Sequence, residues 1–189
     1  GHPIAGTEKS GPSAAFAELY EAHRVALTPT DQTNTDAVQQ VQQMWQHTGA
    51  EVIVMDVAQH DILLAATSHL PHVLAFNLVG MLAQRDDCEA VLRYAAGGFR
   101  DFTRIASSDP VMWRDVFMAN KDATLATLDH FTDRLADMRT AIEQGDGASM
   151  FGVFTRAKSA RDHFLRLLEQ RTIGKRSAPN VSFCFACVV

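Results

Sequence analysis

The chain has 189 residues, 47% hydrophobic and 21% charged, with a formal charge of -5 from 17 Lys and Arg against 22 Asp and Glu. At ~150 residues per domain this is one domain or one and a fraction, and so ordinary a composition excludes a disordered, collagen-like or disulfide-framed chain. The acidic balance argues against a broad basic face for nucleic acid, and three cysteines (Cys88, Cys184, Cys187) set up no disulfide framework, so the expected setting is cytoplasmic.

The sequence opens on Gly1 with neither Met nor a basic-then-apolar leader, which reads as residues missing upstream. Residues 6–13, GTEKSGPS, fall short of a phosphate loop, which needs Lys directly after its second glycine. The β-branched runs 23–27 (HRVAL) and 51–55 (EVIVM) predict strands. Between them Val38, Val41, Met44 and Trp45 recur at helical spacing, predicting a helix over 35–47 capped by Asn34 or Thr35 and closed by Gly49. One strand-helix-strand unit cannot complete a doubly wound sheet, so this front reads as the end of a larger α/β domain of the Rossmann type.

From residue 57 the pattern is helical: 57–84 with a kink allowed at Pro71, then 87–95, 98–107, 110–119, 121–144 and 147–171, broken at Gly97-Gly98, Ser108-Asp109-Pro110 and Gly145-Asp146-Gly147. Residues 62–82 reach the ~20 apolar residues of a membrane span. They also carry Thr67, Ser68, His69, Pro71, His72 and Asn77, a polar density that predicts a buried helix of a soluble protein and no membrane. Over 121–144, Leu125, Leu128, Phe131, Leu135, Met138 and Ile142 form one apolar stripe, a core face or a dimer seam. Periodicity ends after Gln170. The expected organisation is therefore mainly α: a strand-helix-strand remnant over 1–56, a helical domain over 57–171 and an irregular tail over 172–189. In that tail Cys184 and Cys187 lack a second pair to make a zinc site, and the terminus is one residue short of a prenylation box.

Three His and an Asp (His60, Asp61, His69, His72) fall within thirteen residues of the most apolar helix. One isolated His is most simply a hydrogen-bonded core residue, but this many buried polar groups demand partners or a purpose. At ~100° per residue, Asp61, Ser68 and His72 share a stripe and His60 lies off it. Metal ligation through His60, His69 and His72 lacks a remote Cys or carboxylate to complete it, and no metal is expected. Further on, Arg100 and Arg104 stand one turn apart opposite Phe99, Phe102 and Ile105. That is either a solvated pair on an amphipathic helix or a guanidinium fork for a carboxylate.

Four blocks in order, HPIAGTE (2–8), HD leading to SHLPH (60–72), GGFRDFTRIA (97–106) and DPVMWRD (109–115), resemble the prephenate/arogenate (cyclohexadienyl) dehydrogenases of tyrosine biosynthesis, over roughly residues 1–170. The resemblance implies NAD- or NADP-dependent oxidative decarboxylation of prephenate to 4-hydroxyphenylpyruvate, or of arogenate to tyrosine. A hydride leaves ring C4, the 4-hydroxyl loses its proton and carbon dioxide departs. It assigns His2 as the catalytic base, a fitting role for an imidazole with a reference pKa near ~6.5. Arg104 then holds the ring carboxylate, and His72, with His69 and Trp113, lines the substrate pocket and in some members meets the feedback inhibitor tyrosine. Glu8, His60, Asp61, Ser68 and Asp101 fall to a supporting network. The helical part is expected to form a homodimer.

The glycine-rich dinucleotide fingerprint G-x-G-x-x-G is absent, so this chain is not expected to hold NAD or NADP normally or to have appreciable dehydrogenase activity alone. The alternative is a non-catalytic dimeric domain that senses tyrosine or prephenate.

Overall fold

The computed structural model describes residues 1–5 and 11–176. Three strands form one sheet in the order β1 (His2–Ile4), β2 (Arg24–Leu27), β3 (Glu51–Val54), with β1 antiparallel and β3 parallel to β2. Helix α1 (Thr35–His47) makes the crossover from β2 to β3. It starts where expected: the Asn34 side chain accepts the backbone N–H groups of Asp36 and Ala37 at 2.8 and 3.1 Å, satisfying donors that the first turn leaves open. It ends at Gly49, whose φ of 79° is left-handed and whose missing Cβ admits the backbone of Glu21. Val25, Leu27 and Ala50 are buried together, with Tyr20, Trp45 and Val52 packed on them.

The first strand is not visible in the sequence. Three residues carry no periodicity, and β1 exists because His2, Pro3 and Ile4 pair with Ala26, Val25 and Arg24. Pro3 is tolerated because β1 lies at the edge of the sheet, where a missing N–H breaks little. The register sets His2 beside Ala26 near the carboxyl ends of the parallel strands β2 and β3, the side on which open α/β sheets meet their ligands.

Helix α2 (Val57–Leu64) leaves the same end of the sheet, since Met55 donates its N–H to the Leu27 carbonyl and Asp56 caps the helix by accepting from Gln59 at 2.7 Å. The run then passes through a π-helical turn at Ala65–His69 into α3 (Leu70–Ala83). The Pro71 ring would press on the carbonyl four residues back, and the wider turn, in which the Leu70 N–H reaches Ala65, makes room just before it. The remaining helices are α4 (Cys88–Arg93), α5 (Gly97–Thr103) tightening into a 3-10 turn at Arg104–Ser107, α6 (Pro110–Ala119), α7 (Lys121–Glu143) and α8 (Gly147–Arg176). Asp109 caps α6 through the N–H groups of Val111 and Met112, with Pro110 at the first position. The last helix runs to Arg176, five residues past the 147–171 expected, and residues 177–189, with Cys184 and Cys187, lie outside the described residues.

The described residues divide into two compact units, with the boundary between Asp133 and Arg134. In the first, the run 57–83 is apolar and long enough by composition to cross a membrane, yet only Ala65, His69 and Ala75 along it are buried. One copy of the chain does not give this helix the cover expected from its sequence. The stripe on α7 behaves alike, with Leu125, Leu135 and Ile142 exposed by 46, 57 and 61%.

Candidate functional site

The site assembles where the sheet meets the helices, from β1, the α2–α3 run, α6 and the start of α7. From β1, His2 Nδ1 lies 2.9 Å from His60 Nε2, and His60 Nδ1 lies 2.8 Å from the Asp61 carboxylate. One turn beyond the π segment, His72 donates from Nδ1 to the Ser68 carbonyl at 2.8 Å and stacks on Trp113, ring centroids 3.5 Å apart. With Nδ1 committed as donor, the neutral His72 ring presents Nε2 as an acceptor.

His69 is buried and edge-on to both Trp113 and Phe117. Its Nδ1 lies 3.2 Å from Asn120 Nδ2 and 3.3 Å from Thr124 Oγ1. Asn120 also donates through Nδ2 to the Asp61 carbonyl at 2.8 Å, which fixes the amide orientation, because a carbonyl can only accept. His69 Nδ1 is then an acceptor, and the neutral ring carries its proton on Nε2. The neutral rings thus carry a donor at His69 Nε2 and an acceptor at His72 Nε2.

The same closeness shows in the electrostatics. Burial chiefly holds the His69 pKa below its usual 6.5, and positive charge on His2 and His72 lowers it further, while Asp61 opposes. Burial likewise lowers His72, against the hydrogen bond to Ser68, and lowers His2 ahead of the repulsion from His60. The imidazoles of His2, His69 and His72 are therefore neutral near pH 7, the state a proton acceptor requires.

The residues expected at a site divide into two groups. His2, His60, Asp61, His69, His72 and Trp113 come together. Ser68 joins through its backbone carbonyl, and Glu8 lies outside the described residues. Asp101 belongs to the exposed surface, its carboxylate paired with Arg100 at 3.1 Å, and does not join the histidines. Arg104 lines a shallow hollow of about 550 Å³ with Phe99, Arg100, Thr103 and Ser107, whose wall includes no member of the histidine cluster. Helix α3, which carries His72, packs on both α5 and the 3-10 turn that carries Arg104. Among the described residues no three His, Cys, Asp or Glu side chains are disposed to hold a metal ion.

Asn120 and Thr124 were not legible as site residues. They sit at the seam of α6 and α7, four positions apart, and their only sequence signal is an Asn at a helix junction. The turn from β2 into α1, residues 28–34, has no glycine and includes Pro29, so it offers no close backbone approach for a dinucleotide pyrophosphate. That turn does not fit the cofactor's phosphates.

A parallel strand pair with its crossover helix, feeding a helical domain with histidines clustered at the junction, belongs to the broad class of proteins that join an α/β domain to a helical one. Comparison with known proteins narrows this. Residues 56–156 match the family described as prephenate dehydrogenase, dimerization domain, and residues 1–54 match prephenate dehydrogenase, nucleotide-binding domain. The chain belongs to the prephenate dehydrogenase family.

Among its relatives, the cyclohexadienyl dehydrogenase of Zymomonas mobilis is 42% identical over 172 residues, covering 87% of this chain and 59% of that protein. The crystal structure of prephenate dehydrogenase from Aquifex aeolicus superposes with a TM-score of 0.79 at 35% identity, over 86% of this chain and 58% of that one. The A. aeolicus enzyme in complex with hydroxyphenyl propionate and NAD+ gives 0.70 at 36% identity, over 93% and 57%. The chain thus spans little more than half the length of these proteins.

Proposed function

We propose that this chain is the substrate-binding and dimerisation part of a cytoplasmic prephenate/arogenate dehydrogenase, joined to a portion of its nucleotide-binding domain, and that alone it binds the substrate acid without turning it over. On this reading residues 1–56 are the nucleotide-domain portion and 57–171 the helical domain. The observation that carries it is the convergence of His2, His69, His72 and Trp113 at the carboxyl end of the parallel strands. His2 takes the proton of the substrate 4-hydroxyl, His69 and His72 orient the ring against Trp113, and Arg104 holds the ring carboxylate as substrate bridges from the cluster toward its hollow. The chain's contribution is binding, orientation and the proton, and the described turn from β2 into α1 offers no cradle for NAD or NADP.

Calorimetry with prephenate, arogenate and tyrosine, beside an assay for NAD or NADP reduction, tests the reading. Saturable binding of prephenate or arogenate without cofactor reduction is the expected outcome. Absence of binding by all three acids, or reduction of either cofactor by this chain alone, contradicts it.

A second reading, a domain that senses tyrosine and never turns over, draws on the same missing glycine turn. Tyrosine bound more tightly than prephenate would select it. On either reading the half-exposed apolar faces of the 57–83 run and α7 are covered by a second copy. Light scattering should give twice the 20.8 kDa chain mass, and a stable monomer at micromolar concentration would remove the dimer.

A further inference from the structure

His2, His60 and Asp61 form a continuous chain of hydrogen bonds: His2 Nδ1 to His60 Nε2 at 2.9 Å, then His60 Nδ1 to Asp61 Oδ1 at 2.8 Å. For a His60 ring carrying a single proton, its far end sets the direction of every bond in it. An ionised carboxylate only accepts, so the His60 proton must sit on Nδ1. Nε2 of that ring then has only a lone pair, and the bond to His2 forms only if His2 carries its own proton on Nδ1. That leaves the lone pair of His2 on Nε2. The His60 side chain is four-fifths buried, and the two rings meet edge-on with centroids 5.2 Å apart, so the pair is held in one orientation.

We propose that His60 and Asp61 are positioning residues that lock His2 in the Nδ1–H tautomer, so that Nε2 is the atom that accepts the substrate proton. The proposal rests on the reading of His2 as the base. When the substrate O–H bond breaks and His2 Nε2–H forms, the positive charge on His2 is shared along the Nδ1–H bond toward His60 and is balanced by the Asp61 carboxylate. No atom beyond that proton is gained or lost. The arrangement matters because a free imidazole has no fixed tautomer, and a ring with its Nε2 already protonated cannot act as the acceptor there. Asn120 holds the backbone of the relay by donating to the Asp61 carbonyl at 2.8 Å, which ties the proton path to the His69 side of the site.

Nitrogen NMR of the full chain, labelled with 15N-histidine, reads the tautomer without any turnover. His2 should show Nδ1 as a protonated, pyrrole-type nitrogen and Nε2 as an unprotonated, pyridine-type one. The reverse, or the averaged shifts of a free imidazole, overturns the proposal. Asp61→Asn is the sharper test, because the new amide can donate to His60 Nδ1, sending the His60 proton to Nε2 and the His2 proton with it. His2 should then reverse or become mixed, while Asp61→Glu, which restores an acceptor, should return part of the wild-type signature. An unchanged His2 in a folded Asp61→Asn chain also overturns the relay. If that variant does not fold, the wild-type spectrum alone still decides. Failure of the base reading looks different: the His2 tautomer is as described, but the Nε2 resonance does not move when prephenate saturates the chain.

Discussion

Residues 1–133 contain two interiors built on opposite rules. Beneath the sheet, Val25, Leu27 and Ala50 pack with Tyr20, Trp45 and Val52 and bring no charged side chain with them. Around α3, the buried residues Ala65, Ala75 and Trp113 share their space with His69, Ser108 and Thr124, and the Trp113 indole N–H has no hydrogen-bond partner among the described residues. The first interior can be filled by any side chains of the right volume. The second gives up stability, since an unpaired buried donor alone costs about 1–3 kcal/mol, and it keeps polar atoms that packing does not need. Local sequence rules are broken mostly where chemistry is done, and here the break falls on one end of the sheet and one helix.

Mutations should separate the two interiors. The largest effect is expected for Trp113→Ala, which removes the plate on which His72 stacks and should cost about 3–5 kcal/mol of stability together with substrate binding. Leu27→Ala, in the apolar core, should cost a comparable or slightly smaller amount, about 2–5 kcal/mol, but leave prephenate affinity intact in the folded fraction. Denaturant midpoints and calorimetry on both variants check the contrast, and equal loss of affinity in the two would erase it.

Arg104→Gln should reverse the pattern. An exposed position should change stability by less than ~0.5 kcal/mol. Losing a charged partner for a carboxylate, worth about 1.5–3 kcal/mol, should weaken prephenate binding roughly 10- to 100-fold. Lys at the same position should recover little, because it cannot reproduce the planar fork. Asn34→Ala, at the cap of α1, should cost about 1 kcal/mol and leave the ligand unaffected.

The finest test is of pH. His2, His69 and His72 all hold pKa values below 6.5, with burial the leading cause in each. The unfolded chain therefore takes up protons first as pH falls. The stability linked to these rings is complete above about 6.5 and is lost as pH drops through the folded-state values beneath it. Midpoints measured above and below that pH should fall in acid for the wild type and by the same amount for Leu27→Ala, whereas His69→Gln should lose part of the dependence.

The same division governs what the sequence revealed. The caps at Asn34 and Asp109, the glycine at 49 and the periodic helices are local facts, and local rules read them. The first strand was hidden because three residues become a strand only by pairing with residues 24–26. The π turn was hidden because an i to i+5 bond leaves no spacing signature, although Pro71 marked where the α-helix would be disturbed. His60 lay off the stripe of Asp61, Ser68 and His72 on a helical wheel, yet it is the ring that touches His2, 58 residues away. A wheel drawn for one helix cannot register a neighbour from another element. The family resemblance implies a carboxylate partner at Arg104, and the fold puts that residue on the wall of a shallow hollow that includes none of the clustered histidines, a placement that no motif contains.

The most direct test is to titrate prephenate into the 15N-histidine-labelled chain and follow all eight histidine rings. The predicted result is that His2, His69 and His72 shift together and saturate with a single ligand per chain, while His23, His47, His130 and His163 stay in place. Saturable binding that leaves those three rings unmoved would contradict the placement of the substrate among them.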